Sequence, residues 1–171
     1  VLQQAVLLSN SVVVRFAALT HDLGKGLTPA EHWPSHYGHE IKGLRALRAM
    51  VARLRVPNEY ADLAEKVMEY HTHCHRALEL KATTLLKVLE AVGAFRHPDK
   101  LEQFLLACEA DSRGRLGFED RDYPQAKWLR KAFLEANKVG ATEFVEQGLV
   151  GKKIGDAIRQ RRVEVIKAIK D

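Results

Sequence analysis

Apolar side chains recur along this chain at steps of three and four residues, with polar residues between them, and no convincing strand-like alternation interrupts the pattern. The first residues predict a short helix, a polar break at Ser9-Asn10-Ser11 and a second helix over 12–22, where Phe16, Ala17, Leu19 and Leu23 take the spacing of a buried face. Residues 24–37 contain Gly24, Gly26, Pro29 and Pro34 and predict a loop long enough to be functional. A helix over 36–54 follows, with Ile41, Leu44, Leu47, Val51 and Leu54 as its apolar stripe. Pro57-Asn58 opens the next, which Tyr60, Leu63, Ala64, Val67 and Met68 carry to His71. Further helices are predicted over 82–92, 98–111, from Asp122-Tyr123-Pro124 onward, over 142–147 and over 152–170. The fold class is therefore all-α: a helical bundle over 1–120 and a helical tail over 121–171.

Composition narrows the setting. Cys74 and Cys108 stand far apart with no CxxC spacing, so neither a disulfide framework nor a four-cysteine zinc site is indicated, and a reducing, cytoplasmic location is expected. The apolar opening is interrupted well short of the roughly 18–20 residues of a membrane span, and no membrane partner is expected. A start at Val1 without an initiator Met reads as a fragment or a processed chain.

The formal charge of +5 is unevenly placed. Residues 148–171 carry seven basic and three acidic side chains, so +4 of the excess lies there. That asymmetry favours a tail facing nucleic acid, with Lys152, Lys153, Arg159, Arg161 and Arg162 as candidate contacts. On the last helix Ile154, Ala157, Ile158, Val165, Ala168 and Ile169 share one face and Arg161 falls within it by angle. Arg161 either snorkels from a packed helix or contacts a phosphate.

Chemistry concentrates in His21-Asp22-Leu23-Gly24-Lys25-Gly26, where an apolar helix delivers an imidazole and a carboxylate to a glycine-flanked lysine. Adjacent His and Asp can reach one divalent cation only where the helix ends and the backbone turns, which the glycines permit. Lys25 beside such a cation serves an anionic ligand, and the combination points to phosphate esters. Downstream, His39, His71 and Asp111 also lie near helix ends. An acid at a helix C-terminus opposes the dipole, which argues that Asp111 has a cation partner. His39 has the alternative of a solvated first turn with His36. In His71-Thr72-His73-Cys74-His75 the dipole accounts for the run, and His71 alone is taken as a site residue. Mixed nitrogen and oxygen donors without paired thiolates suit a catalytic divalent cation rather than structural zinc.

The ordered set His21-Asp22, His39, His71 and Asp111 resembles the HD superfamily of metal-dependent phosphohydrolases. More narrowly, the segments RFAALTHDLGKGLTPAEHWPSHYGHE, RLRVPNEYADLAEKVMEYH and EADSRGRLGFEDRDYPQAKWLR resemble the C-terminal HD portion of bacterial CCA-adding enzymes, the tRNA nucleotidyltransferases. The resemblance implies 2′,3′-cyclic phosphodiesterase, 2′-nucleotidase and phosphatase activities supported by Mg, Mn or Ni. It also implies partners in the tRNA 3′ end, nucleotide phosphates and an N-terminal nucleotidyltransferase region; monomer and homodimer both stay open. By resemblance His21 and Asp22 are metal ligands and catalytic residues, His71 is a site residue, Asp111 the closing carboxylate and Lys25 a phosphate contact. Two departures stand out: the His that opens the superfamily pattern is expected just upstream of Val1, and Thr72 stands where the family tends to place Asp. With that His lost, metal binding is expected to weaken. No Gly-Ser followed by paired aspartates occurs, so this chain by itself is not expected to add CCA. The alternative to an enzyme is a catalytically silent helical appendage that binds tRNA.

Overall fold

Ser11 starts the second helix by accepting a hydrogen bond from the Val14 amide, and Pro98 and Pro124 open two later helices from first-turn positions where no amide is needed. A computed structural model describes residues 1–170. Its helices are α1 (Leu2–Leu8), α2 (Val12–Thr20), α3 (His39–Leu54), α4 (Asn58–His75), α5 (Ala82–Ala91), α6 (Pro98–Arg113), α7 (Pro124–Asn137), α8 (Thr142–Glu146) and α9 (Lys152–Ala168). No strand occurs among the described residues, in agreement with the all-α expectation.

Local chemistry moves several predicted boundaries, and α2 ends at Thr20 rather than at residue 22. Helix α3 starts at His39, not at residue 36, because His36 and Gly38 hold positive φ of 49° and 73° and cannot belong to a right-handed helix. Helices α4 and α6 run on to His75 and Arg113, each one turn or less beyond its predicted end. The predicted loop contains two short 3-10 turns, Leu23–Leu27 and Ala30–His32.

Helix α2 packs on α4 and α6, α1 lies against α2 and α6, and α3 lies against α4. Val14, Ala17 and Ala18 of α2, Leu63, Ala64, Val67 and Met68 of α4, and Leu101, Phe104, Leu105 and Cys108 of α6 form the centre of the core. Each large aliphatic or aromatic side chain in it is stabilising by about 1.5–3 kcal/mol relative to exposure. These stripes do not stop at apolar residues. At helical steps the α2 stripe continues into His21, the α4 stripe into His71 and the α6 stripe into Asp111, all buried. The same buried cluster extends through Tyr123, Leu129 and Phe133 to Ile166 of α9.

Two glycines seat the first 3-10 turn on α3. A Cβ on Gly24 would overlap the His39 carbonyl oxygen and lie 2.8 Å from the Gly43 amide nitrogen, and one on Gly43 would lie 3.0 Å from the Gly24 nitrogen. The contact is backbone against backbone, and it sets His39 beside the His21-Asp22 turn.

The face of α9 differs from its prediction by about one residue. Ile166 is its buried residue and Ala168 is exposed. Arg161 is also exposed and meets Glu164 at 3.4 Å, so it does not snorkel. Arg162 does pack: its guanidinium lies 3.8 Å from the centroid of the Phe95 ring and donates to the Ala136 carbonyl at 3.2 Å.

The Gly24–Gly43 contact leads to a direct expectation. Gly24→Ala lowers the unfolding free energy by about 2 kcal/mol through overpacking against backbone that cannot rotate away, measured as a fall in the urea midpoint. An unchanged midpoint would mean the turn has freedom to move off α3.

Candidate metal centre

Three imidazoles meet two carboxylates where the helices converge. His21 follows the last turn of α2, Asp22 opens the 3-10 turn, His39 is in the first turn of α3, His71 lies in α4 and Asp111 in the last turn of α6. The three imidazoles are oriented alike. Nδ1 of His21 donates to the Ala18 carbonyl at 2.8 Å, that of His39 to the His36 carbonyl at 2.9 Å, and that of His71 to the Val67 and Met68 carbonyls at 3.0 and 3.1 Å. Each bond fixes the tautomer and turns Nε2 toward the centre, as the hydrogen bond on the far nitrogen does in a metal-ligating histidine.

The central distances are short and the hydrogen bonding is incomplete. Nε2 of His21 lies 3.1 Å from Asp22 Oδ2 and 3.2 Å from Asp111 Oδ1. Nε2 of His39 lies 3.2 Å from Asp22 Oδ1, and that of His71 lies 3.7 Å from the same oxygen. His39 and His71 bring their Nε2 atoms within 3.4 Å of each other. Yet His21 Nε2 and Asp22 Oδ1 are buried without a properly aligned hydrogen-bond partner. Close, converging donors left without aligned hydrogen bonds fit a cation between them. Two sets, His21-His71-Asp111 and Asp22-His39-His71, each place their ligand atoms within 4.8 Å of one another and share His71.

Charge is arranged to match. Burial opposes protonation of His21, but its contacts with Asp111 and Asp22 outweigh burial and raise its pKa to about 10. Burial, with His21 beside it, pushes His71 down to about 4, so that imidazole stays neutral at physiological pH. Burial opposes ionisation of Asp22 and of Asp111, but both are held well below the ordinary carboxylate range, by His21 and Lys25 for Asp22 and by His21 and His75 for Asp111. Lys25 reaches Asp22 Oδ2 at 2.5 Å and is partly exposed at the rim.

The structure thus brings together His21, Asp22, His39, His71, Asp111 and Lys25. The five basic candidates of the tail lie on α9, away from this cluster in the fold. Arg159 pairs with Glu90 at 3.1 Å, while Lys152 and Lys153 are exposed. Sequence reasoning missed His75. One turn beyond His71, its Nε2 donates to Asp111 Oδ2 at 2.8 Å and its Nδ1 meets the Tyr123 hydroxyl at 2.9 Å. The four-residue step from His71 was the available signal; the dipole explanation of the histidine run concealed it. Thr72 points elsewhere and donates to Glu40 at 3.0 Å.

A helical bundle with buried, ordered His-Asp, His and Asp donors defines the class. The chain belongs to the HD family: the family model described as "HD domain" matches residues 1–108. It is also similar to curated proteins named "Multifunctional CCA protein". It is 54% identical over 170 residues to that of Thioalkalivibrio sulfidiphilus (strain HL-EbGR7), covering 99% of this chain and 42% of the relative. Identity to the Methylococcus capsulatus protein is 54% over 171 residues, covering 99% and 40%, and to that of Pseudomonas fluorescens 51%, covering 100% and 42%. The chain therefore spans about two fifths of the length of these relatives. No solved structure matches it. Among the described residues no helix is long and apolar enough to cross a membrane.

The proton on His21 competes with a cation for Nε2. Between neutral pH and about 10, binding of Mn²⁺ is expected to release about one proton and to strengthen about tenfold per pH unit. Calorimetric titration in buffers of different ionisation enthalpy measures this. In the metal-free protein the sign is opposite: the His21 contribution to stability is full below its ordinary 6.5 and is lost as pH rises through about 10. Affinity independent of pH over this window would mean that His21 holds no proton there in the metal-free protein.

Proposed function

We propose that this chain is a metal-dependent phosphohydrolase of nucleotide phosphates, with 2′,3′-cyclic phosphodiesterase, 2′-nucleotidase and phosphatase activity. In this reading it is the C-terminal part of a CCA-adding tRNA nucleotidyltransferase and acts in tRNA 3′-end maturation and repair in the cytoplasm. The observation that carries the proposal is the set of three inward Nε2 atoms facing two ionised carboxylates, with Lys25 at the open edge.

His21, Asp22, His39, His71 and Asp111 would hold the cation. Bound there, a divalent cation supplies a Lewis acid that polarises a phosphoryl oxygen and acidifies water. The imidazole-rich donor set suits Mn or Ni better than Mg, which prefers carboxylates and retained waters. Asp111 is kept in orientation by His75, which binds its second oxygen. Lys25 offers an ammonium to an incoming phosphate, a contact it makes by sharing its charge with Asp22. The burial of His21, His39 and His71 limits water around these charges and strengthens their attraction for an anion.

Hydrolysis of adenosine 2′,3′-cyclic monophosphate tests the reading. Added Mn or Ni is expected to raise the rate over EDTA-treated protein, and His21→Ala with Asp22→Ala to lower it by at least about a hundredfold. A rate indifferent to both metal and substitution would remove the enzyme and favour the catalytically silent tRNA-binding appendage.

The charge of the tail favours tRNA contact in either case. Because Arg159 and Arg161 already pair with Glu90 and Glu164, Lys152 and Lys153, exposed and in no ion pair among the described residues, carry the expected effect. Lys152→Ala with Lys153→Ala is expected to reduce the slope of log affinity for tRNA against log salt by about 2. An unchanged slope would place the RNA elsewhere.

A further inference from the structure

Beyond Asp111 the chain forms a cleft that the proposed chemistry does not use. It measures about 410 Å³ and is lined by His75, Ser112, Arg115, Phe118, Arg121 and Tyr123, among others. Its inner wall is shared with the candidate metal centre. His75 lines the cleft while its Nε2 holds Asp111 Oδ2, and Asp111 Oδ1 lies 3.2 Å from His21.

Two turns in sequence build the outer wall. The Phe118 amide donates to the Arg115 carbonyl at 3.0 Å and the Arg121 amide to the Phe118 carbonyl at 3.0 Å, so these three residues recur at every third position along one segment. Gly117, at a φ of 82°, provides the left-handed residue that the first of these turns contains. The close packing of Gly114 on Val1 anchors the start of the segment, since any Cβ there would overlap Val1. The Arg121 guanidinium sits over the Phe118 ring, 5.2 Å from its centroid, which holds the charge at the cleft.

Among the described residues no carboxylate lies within ion-pair distance of Arg115 or Arg121, whereas Arg113 of the same segment is paired with Glu109 at 2.8 Å. Asp122 also lines the cleft and offers an acceptor for a ribose hydroxyl or a base amine, leaving a net positive wall. Paired guanidinium groups are well suited to a phosphate, and a volume of this size accommodates a nucleotide.

We infer that this cleft is a subsite for the internucleotide phosphate and adjoining nucleoside of an RNA 3′ end, beside the metal centre where the terminal phosphate reacts. The inference rests on the phosphohydrolase reading for the reacting end, and it specifies the substrate class. A substrate with two phosphates, one at each side of His75, is bound more tightly than a mononucleotide. The shared wall makes His75 and Asp111 the boundary between the two sites.

Binding, separated from turnover, tests it. With Mn²⁺ present, calorimetric titration of the full chain compares adenylyl-(3′,5′)-adenosine 2′,3′-cyclic phosphorothioate with adenosine 2′,3′-cyclic phosphorothioate, analogues chosen to slow turnover. The dinucleotide is expected to bind at least tenfold more tightly, and Arg115→Ala with Arg121→Ala to reduce that difference below twofold while mononucleotide affinity stays within twofold. Phe118→Leu is expected to reduce the difference in part, by freeing Arg121. Equal affinities in the unsubstituted chain, or a difference that survives the arginine double variant, overturns the inference. Both arginines are exposed, so an unchanged thermal melt is expected to accompany the loss. If the arginine-dependent difference is present but no metal-stimulated hydrolysis occurs, the subsite stands and the phosphohydrolase reading fails. Metal-stimulated hydrolysis with no preference for the dinucleotide has the opposite meaning.

Discussion

Everything at the centre of this molecule depends on directing three Nδ1–H groups to backbone carbonyls. A histidine whose Nδ1 is so engaged turns its Nε2 inward, and three such Nε2 atoms face each other and two carboxylates in a buried space. Without a cation the arrangement is tolerable only because His21 retains a proton. The helices are positioned so that their apolar stripes end in these groups. The same hydrophobic burial that packs α2, α4 and α6 therefore also assembles the donors.

Glycine controls the part of the site that the core does not. Asp22 and His39 belong to elements outside the α2, α4 and α6 packing, and their meeting depends on how closely the 3-10 turn approaches α3. The facing backbones of Gly24 and Gly43 allow that approach. A single methyl on Gly24 would push the turn outward and separate a carboxylate from an imidazole that it meets at 3.2 Å, and one on Gly43 would also press on the Met68 sulfur. Close backbone packing here is thus a requirement of the site as well as of stability.

Three of the candidate site's components were legible in the sequence because each sits at the end of a periodic apolar run. His21, His71 and Asp111 could be placed on one interior by counting turns, and the helical class followed from the same periodicity. What could not be read was long-range. The Gly24–Gly43 contact joins two segments whose approach has no local signature. His75 looked like one more cation near a helix C-terminus until Asp111 and Tyr123 were found on either side of its ring. On α9 an error of about one residue in phase exchanged Arg161 for Arg162, since the four consecutive polar residues Arg159-Gln160-Arg161-Arg162 leave the angle of the apolar face poorly defined by sequence.

The charges suggest why such a centre selects anions. Two carboxylates are balanced in the metal-free protein by the His21 proton and Lys25, so the cluster is close to neutral. Exchange of one proton for a divalent cation leaves the same residues with a positive excess. An excess charge enclosed by buried imidazoles is screened less than one in water, so it would favour an anion at the partly open side where Lys25 stands. Under the proposed function, the metal-free cluster is one positive charge short of attracting an anionic substrate, and a bound cation would supply the difference.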